Sequence, residues 1–226
     1  MRSGGRVLDS GTTLVLTNAI YFKGDWQRKF DAKATKDAPF MLTPQEKVMV
    51  PLMRQRGKFA YGVFGKAQVL ELPYVGRDLS MIVLLPKEVD GLADLEKSLS
   101  VETLSTWTSG LREQTVEVLL PKFKMTSGFR LEKVLGSMGM PLAFSGGADF
   151  SGMTGKRDLF ISAVIHKAFV DVNEEGTEAA AATAVVLRAP APPNPIFCAD
   201  HPFLFLIRDN RTGSILFLGR MTNPKG

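Results

Sequence analysis

A single cysteine, Cys198, stands in this 226-residue chain. One thiol excludes an internal disulfide and any cysteine-rich metal centre. Its neighbours Phe197 and Ala199 favour a small buried hydrophobe over a reactive group. Histidine is almost as scarce, with His166 inside a strand-like run and His201 directly before Pro202. No His-Glu-x-x-His, Cys-x-x-Cys, Gly-x-Ser-x-Gly or phosphate-cradling glycine loop occurs, so the usual motifs of hydrolase, metal and nucleotide chemistry are missing. No apolar run nears the ~20 residues that a membrane-spanning helix needs. The first residues carry no targeting pattern. The compartment stays open, with an extracellular setting favoured.

Charge of one sign is also thinly spread. The net charge is +5, but Lys23, Arg28, Lys29, Lys33, Lys36, Arg54, Arg56 and Lys58 are scattered, without a basic helix or interleaved aromatics. That pattern reads as solvated faces and argues against a nucleic-acid module, leaving room for a weak polyanion contact near 54–58. Glu174-Glu175 reads as a solvated strand end rather than a catalytic pair.

What is present is strand. LVLTNAIYFKG (14–24), VMVPLMRQRGKFAYGVF (48–64), TVEVLLPKFKM (115–125) and LFISAVIHKAFVDV (159–172) are β-type runs, the second turning at Gly57 and Gly62. QVLELPYV (68–75) and the almost wholly apolar LSMIVLLP (79–86) flank Gly76-Arg-Asp and predict a buried hairpin. PFLFLIRD, a turn at Asn210-Arg-Thr-Gly, and SILFLGRM predict another at the C-terminal end. Leu92, Leu95 and Leu99 predict a short helix, followed by another at 101–111, where Trp107 is a packing residue. Leu131, Val134, Leu135 and Met138 predict a third over 129–139, capped by Gly139. The loop 144–155 is rich in turn formers, and APAPPNP (189–195) can hardly pair in a sheet. The fold class is α+β and β-dominated, in one domain with no internal repeat.

EEGTEAAAATAVV (174–186) is the odd stretch. Alanine favours helix, yet the flanks are strand-like and Gly176 interrupts the start. As a strand it is small on both faces and could slide into a crowded sheet. A helical or flexible connector is the alternative.

EEGTEAAAATA resembles the reactive-loop hinge of inhibitory serpins. FCADHPFLFLIRDNRTGSILFLGRMTNP (197–224) resembles that family's C-terminal signature. LVLTNAIYFKGDW, LELPY, SMIVLLP, LPKFKM, LEKVLGSMGM and ADFSGM follow in the family's order, so the likeness covers the chain from about residue 8. It implies a serpin-like multi-sheet fold lacking the N-terminal helical region and the first strands of the main sheet: an N-terminally truncated single domain over 1–226, with a reactive-centre loop at 174–196. It implies a suicide inhibitor, not an enzyme, with no cofactor and no metal. The partner would be a serine protease, or in second place a cysteine protease, engaged by a monomer without nucleic acid or membrane. A non-inhibitory or substrate-type serpin, or an inactive fragment, is the alternative.

By the same resemblance the hinge is Glu174, Glu175, Gly176, Thr177, Glu178, Ala179, Ala180, Ala181, Ala182 and Thr183. Glu174 matches the glutamate at the loop base and Lys122 its partner, expected as an exposed ion pair worth about 0–1 kcal/mol. Trp26 matches a tryptophan under the loop's entry point, and Asn18 and His166 a polar pair where the sheet opens. Counting from the hinge puts the scissile bond at Pro190-Ala191; counting back from Pro202 puts it at Ala191-Pro192. Arg188-Ala189 suits a trypsin-like enzyme better, and Ala189-Pro190 carries the same proline problem as the first two.

Overall fold

A computed structural model describes residues 13–175 and 194–226. In chain order the strands are β1 (Leu14–Phe22), β2 (Lys36–Met41), β3 (Lys47–Phe64), β4 (Ala67–Pro73) and β5 (Leu79–Pro86); after helices α1 (Leu92–Ser98) and α2 (Val101–Gly110) come β6 (Arg112–Pro121) and β7 (Phe123–Arg130). Helices α3 (Glu132–Ser137) and α4 (Ser151–Thr154) precede β8 (Ile161–Val172), β9 (Ile196–Cys198), β10 (Phe203–Asp209) and β11 (Ile215–Met221). The architecture is α+β, β-dominated and multi-sheet, the class expected from the sequence. The chain forms two compact units, one of residues up to Phe22 with Met125–Asp171, the other of Lys23–Lys124 with Val172–Gly226.

The larger unit is built on a sheet in the order β11-β10-β5-β4-β3-β6-β9, with β2 also pairing β3. β5 is central because nothing in LSMIVLLP demands water. Met81 to Leu85 are fully buried, and Ser80, buried with them, accepts from the Asn210 amide at 2.7 Å. Ile82, Leu84, Val69, Leu204 and Leu206 form a cluster that α1 and α2 cover through Leu95, Leu104 and Trp107. Each such side chain contributes about 1.5–3 kcal/mol of burial. Trp107 stacks on Phe64 at 6.2 Å, the packing role expected of it. The β4–β5 hairpin is present. Gly76 (φ 84°) and Arg77 (φ 60°) turn the chain through the left-handed region, and the Asn210 amide donates to the Arg77 carbonyl at 2.8 Å. The C-terminal hairpin is present too, as β10 and β11.

Three local expectations need correction. Gly57 and Gly62 make no turn: β3 runs unbroken through both for 18 residues. A Cβ at Gly57 would meet the Arg28 side chain at 2.7 Å, and one at Gly62 the Phe64 ring at 2.7 Å, so these glycines admit covering side chains. The run 115–125 is two strands in different sheets, β6 and β7, parted at Lys122. The third helix starts at Glu132, because residues 129–130 belong to β7; Gly139 does stand past its end at φ 109°. The loop 144–155 also contains the single turn α4.

The smaller unit carries a three-stranded sheet in the order β1-β8-β7. β1 and β8 run parallel from Leu14↔Ile161 to Phe22↔Val170. α3 docks on β8 through Glu132, whose carboxylate accepts the Val164 amide at 3.1 Å and the Arg130 guanidinium at 3.0 Å.

Candidate functional site

β8 hands the chain to Asn173, Glu174 and Glu175, the last described residues before 194. Asn173 makes a side-chain turn, its Oδ1 accepting the Glu175 amide at 2.8 Å. Its carbonyl accepts the Trp26 indole N–H at 2.8 Å. Trp26 is buried, stacked on Tyr74 at 4.6 Å and edge-on to Phe30 at 6.2 Å.

Glu174 is the best-held group of this stem. Lys122 Nζ lies 2.7 Å from Oε2, and the Thr35 hydroxyl donates to Oε1 at 2.8 Å. Its side chain is only 13% exposed, so the expected solvated strand end and exposed pair are corrected to a half-buried, doubly bonded carboxylate. Burial alone would raise its pKa; the hydrogen bonds from Lys122 and Thr35 and the lysine charge outweigh that and hold it below the usual carboxylate range. Glu175, well exposed, pairs with Lys23 at 3.2 Å.

The chain resumes at Asn194 and Pro195. Proline lacks an N–H but keeps its carbonyl, and that of Pro195 accepts the Glu117 amide at 3.0 Å. β9 then pairs parallel to β6 over three residues, Glu117↔Ile196 to Leu119↔Cys198. Burial, followed by the charge and hydrogen bond of Asp200, pushes the Cys198 thiol up to about 12, far from a reactive thiolate. His201 is buried, with Nδ1 2.8 Å from Asp200 Oδ1 and Nε2 2.8 Å from the Pro86 carbonyl.

In the three-stranded sheet Asn18 and His166 are register partners, and the His166 ring stacks on Phe129 at 6.5 Å. Three positions on, Tyr21 stacks on Phe169 at 5.1 Å. Parallel register puts each pair on one face of the sheet.

The structure thus brings together Glu174 with Lys122, Glu175 with Lys23, Trp26 with the backbone before Glu174, and Asn18 with His166. Gly176, Thr177, Glu178, Ala179, Ala180, Ala181, Ala182 and Thr183, and the scissile candidates Arg188, Ala189, Pro190 and Ala191, lie outside the described residues. Sequence reasoning missed Thr35 and Lys23 as holders of Glu174 and Glu175. Neither stands in a local pattern that points to a partner so distant in the chain. Among the described residues no cluster of three or more histidine, cysteine or acidic groups is placed to hold a metal ion, and no helix is long and apolar enough to cross a membrane.

The pattern of the family described as serpin (serine protease inhibitor) matches residues 4–224. Human Serpin B4 is 51% identical over 223 residues, covering 96% of this chain and 57% of that protein. The pig leukocyte elastase inhibitor is 50% identical over 227 residues, covering 96% of this chain and 60% of its own length. The crystal structure of uncleaved ovalbumin superposes with a TM-score of 0.86 at 38% identity, covering 98% of this chain and 57% of ovalbumin. The chain therefore spans less than two thirds of these relatives, and it belongs to the serpin (serine protease inhibitor) family.

Proposed function

We propose that the chain supplies the working parts of a suicide protease inhibitor: a reactive-centre loop over 174–196 and the strand pair that receives it. The observation that carries this reading is the direct parallel pairing of β1 with β8, whose C-terminal end runs straight into the anchored Glu174 stem. A loop that reverses after Glu174 and enters between them would run antiparallel to both. One parallel ladder would be exchanged for two antiparallel ones, which are slightly more stable per residue. Each added backbone hydrogen bond nets about 1 kcal/mol, so a strand of about a dozen residues can drive a large rearrangement once cleavage frees it. The uncut state is then a kinetic trap. Loop insertion of this kind is a form of strand addition.

The protease attacks a loop carbonyl and forms an acyl-enzyme; the released C-terminal segment departs with the new amine. Insertion of Gly176 to Thr183 drags the acylated protease away before water resolves the ester. The side chains of Ala179 to Ala182 and Thr183 are small enough to enter a packed sheet. The protein acts by conformational change, without catalysis of its own, as a monomer.

Incubation with trypsin-, elastase- and subtilisin-like proteases, followed by denaturing gels and intact-mass analysis, tests this. The expected result is a covalent complex with one of them, and the mass of the released peptide assigns the scissile bond among 188–192. Cleavage at the loop with no complex would make the chain a substrate-type serpin.

A further inference from the structure

The anchored stems of the loop are both bordered by cations. At the first stem Thr35, which holds Glu174, sits between Lys33 and Lys36. At the second, Glu117 receives the Pro195 carbonyl on its amide and the Arg54 guanidinium on its carboxylate at 2.5 Å. Lys33, Lys36, Arg54 and Leu119 line one open cleft of about 300 Å³. From there the exposed face of β3 continues as Arg54, Arg56 and Lys58 at alternate positions, all pointing away from the core. The register sets Arg56 opposite Glu117 and Arg54 opposite Leu119, so the strip lies one strand from β6 and two from β9. Among the described residues, only Arg54 of these five cations has an ion-pair partner. The nearby carboxylates are Asp31, Asp37, Glu71, Glu113, Glu117 and Glu174, of which Glu117 is taken by Arg54 and Glu174 by Lys122.

We infer that this basic strip is a second docking surface for the protease that takes the loop, and that it fits an acidic rim around the protease's substrate cleft. The inference rests on the proposed function for the identity of the partner. A protein whose active site closes on residues between the two stems must lie over the ground between them, where Lys33, Lys36 and Arg54 stand, with Arg56 level with the second stem and Lys58 just beyond it. Exposed charges of this kind act mainly on encounter, accelerating it at low ionic strength and fading as salt screens them. A polyanion would also be attracted, but the strip's start beside both loop stems favours the molecule that the loop already holds.

Residues 176–193 contain one basic side chain, Arg188, so any trypsin consumes the loop at one bond. The full chain is mixed with an anionic and a cationic trypsin, and loss of the intact Arg188-Ala189 bond is followed by mass, whether it ends in cleavage or in a complex. Each rate is divided by that of the same enzyme on a free peptide of residues 183–194. The expected normalised preference for the anionic enzyme is about tenfold or more at low salt, falling towards unity at high salt. Arg54→Glu/Arg56→Glu/Lys58→Glu should abolish or invert it. The Gln triple variant should give an intermediate value and guards against misfolding of the reversed one. A ratio near unity in the natural chain, or one unmoved by either triple variant, overturns the inference. So does a preference that emerges only with heparin, which would assign the strip to polyanions. Failure to form covalent complexes bears on the proposed function alone, since the rate is read either way.

Discussion

Lys122 Nζ stands 2.7 Å from the carboxylate of Glu174, at the point where the β-type run 115–125 breaks into two strands. The lysine is therefore neither in β6 nor in β7. It occupies the joint between two sheets, with its amide bonded to the Pro51 carbonyl at 2.9 Å, and from there reaches Glu174. A kink in the chain and the anchor of Glu174 are the same residue.

Glu174→Gln should loosen that anchor. It keeps the shape and the Thr35 bond but removes the charge that Lys122 and Thr35 stabilise, for a loss of about 1–2 kcal/mol read by urea unfolding. The pH dependence follows from the direction of the shift. The folded pKa is depressed, so this stabilisation is complete above the unfolded value near 4.3 and is lost as pH falls through the folded one. The natural chain and the Gln variant should converge in stability as pH drops below about 4. A gap of constant size down to acid pH would show that the charge contributes nothing.

His201 titrates with the opposite sign. Both acceptors at its ring nitrogens, the Asp200 carboxylate and the Pro86 carbonyl, take a proton and offer none, so only the imidazolium can satisfy both. Burial alone would lower its pKa; the hydrogen bonds to Asp200 and Pro86 and the charges of Asp200 and Glu88 outweigh that and raise it. Its contribution is fully present below the unfolded value of about 6.5 and is lost as pH rises through the folded value. His201→Gln should flatten the melting temperature between about pH 6 and 8, whatever its effect on the absolute level. Equal slopes in the two proteins would rule out the doubly donating imidazolium.

The hairpins were legible in the sequence because an unbroken apolar run such as 79–86 and a glycine-containing turn report the same thing. The pairing of Glu174 with Lys122 was legible only by resemblance. Local pattern made Glu174-Glu175 a solvated strand end, since burial of a glutamate depends on Lys122 and Thr35, both far away in the chain. The break at Lys122 was invisible because VEVLLP and FKM share one β-type character across it. Gly57 and Gly62 misled for a related reason. A glycine in a strand signals a turn or a close approach equally well, and only the positions of Arg28 and Phe64 decide between them.

That distinction yields a graded prediction for three glycines. A Cβ at Gly57 would press on the guanidinium end of Arg28, an exposed and flexible side chain that can move aside. Gly57→Ala should therefore change stability by less than about 1 kcal/mol. At Gly219 the new methyl would lie 2.6 Å from the ring of Phe205, its register partner on β10. Phe205 is 1% exposed and packed against Phe123 at 5.4 Å, so it has nowhere to go. Gly219→Ala should cost about 1–3 kcal/mol, the range for overpacking a filled core. Gly62 is the intermediate case, because Phe64 can swing but takes its stack on Trp107 with it. Equilibrium urea unfolding of the three alanine variants should rank them 57, 62, 219 in increasing loss. If Gly57→Ala were the most damaging, β3 would depend on backbone freedom at that position rather than on room for a neighbour, and the reading of its glycines as covered strand positions would fail.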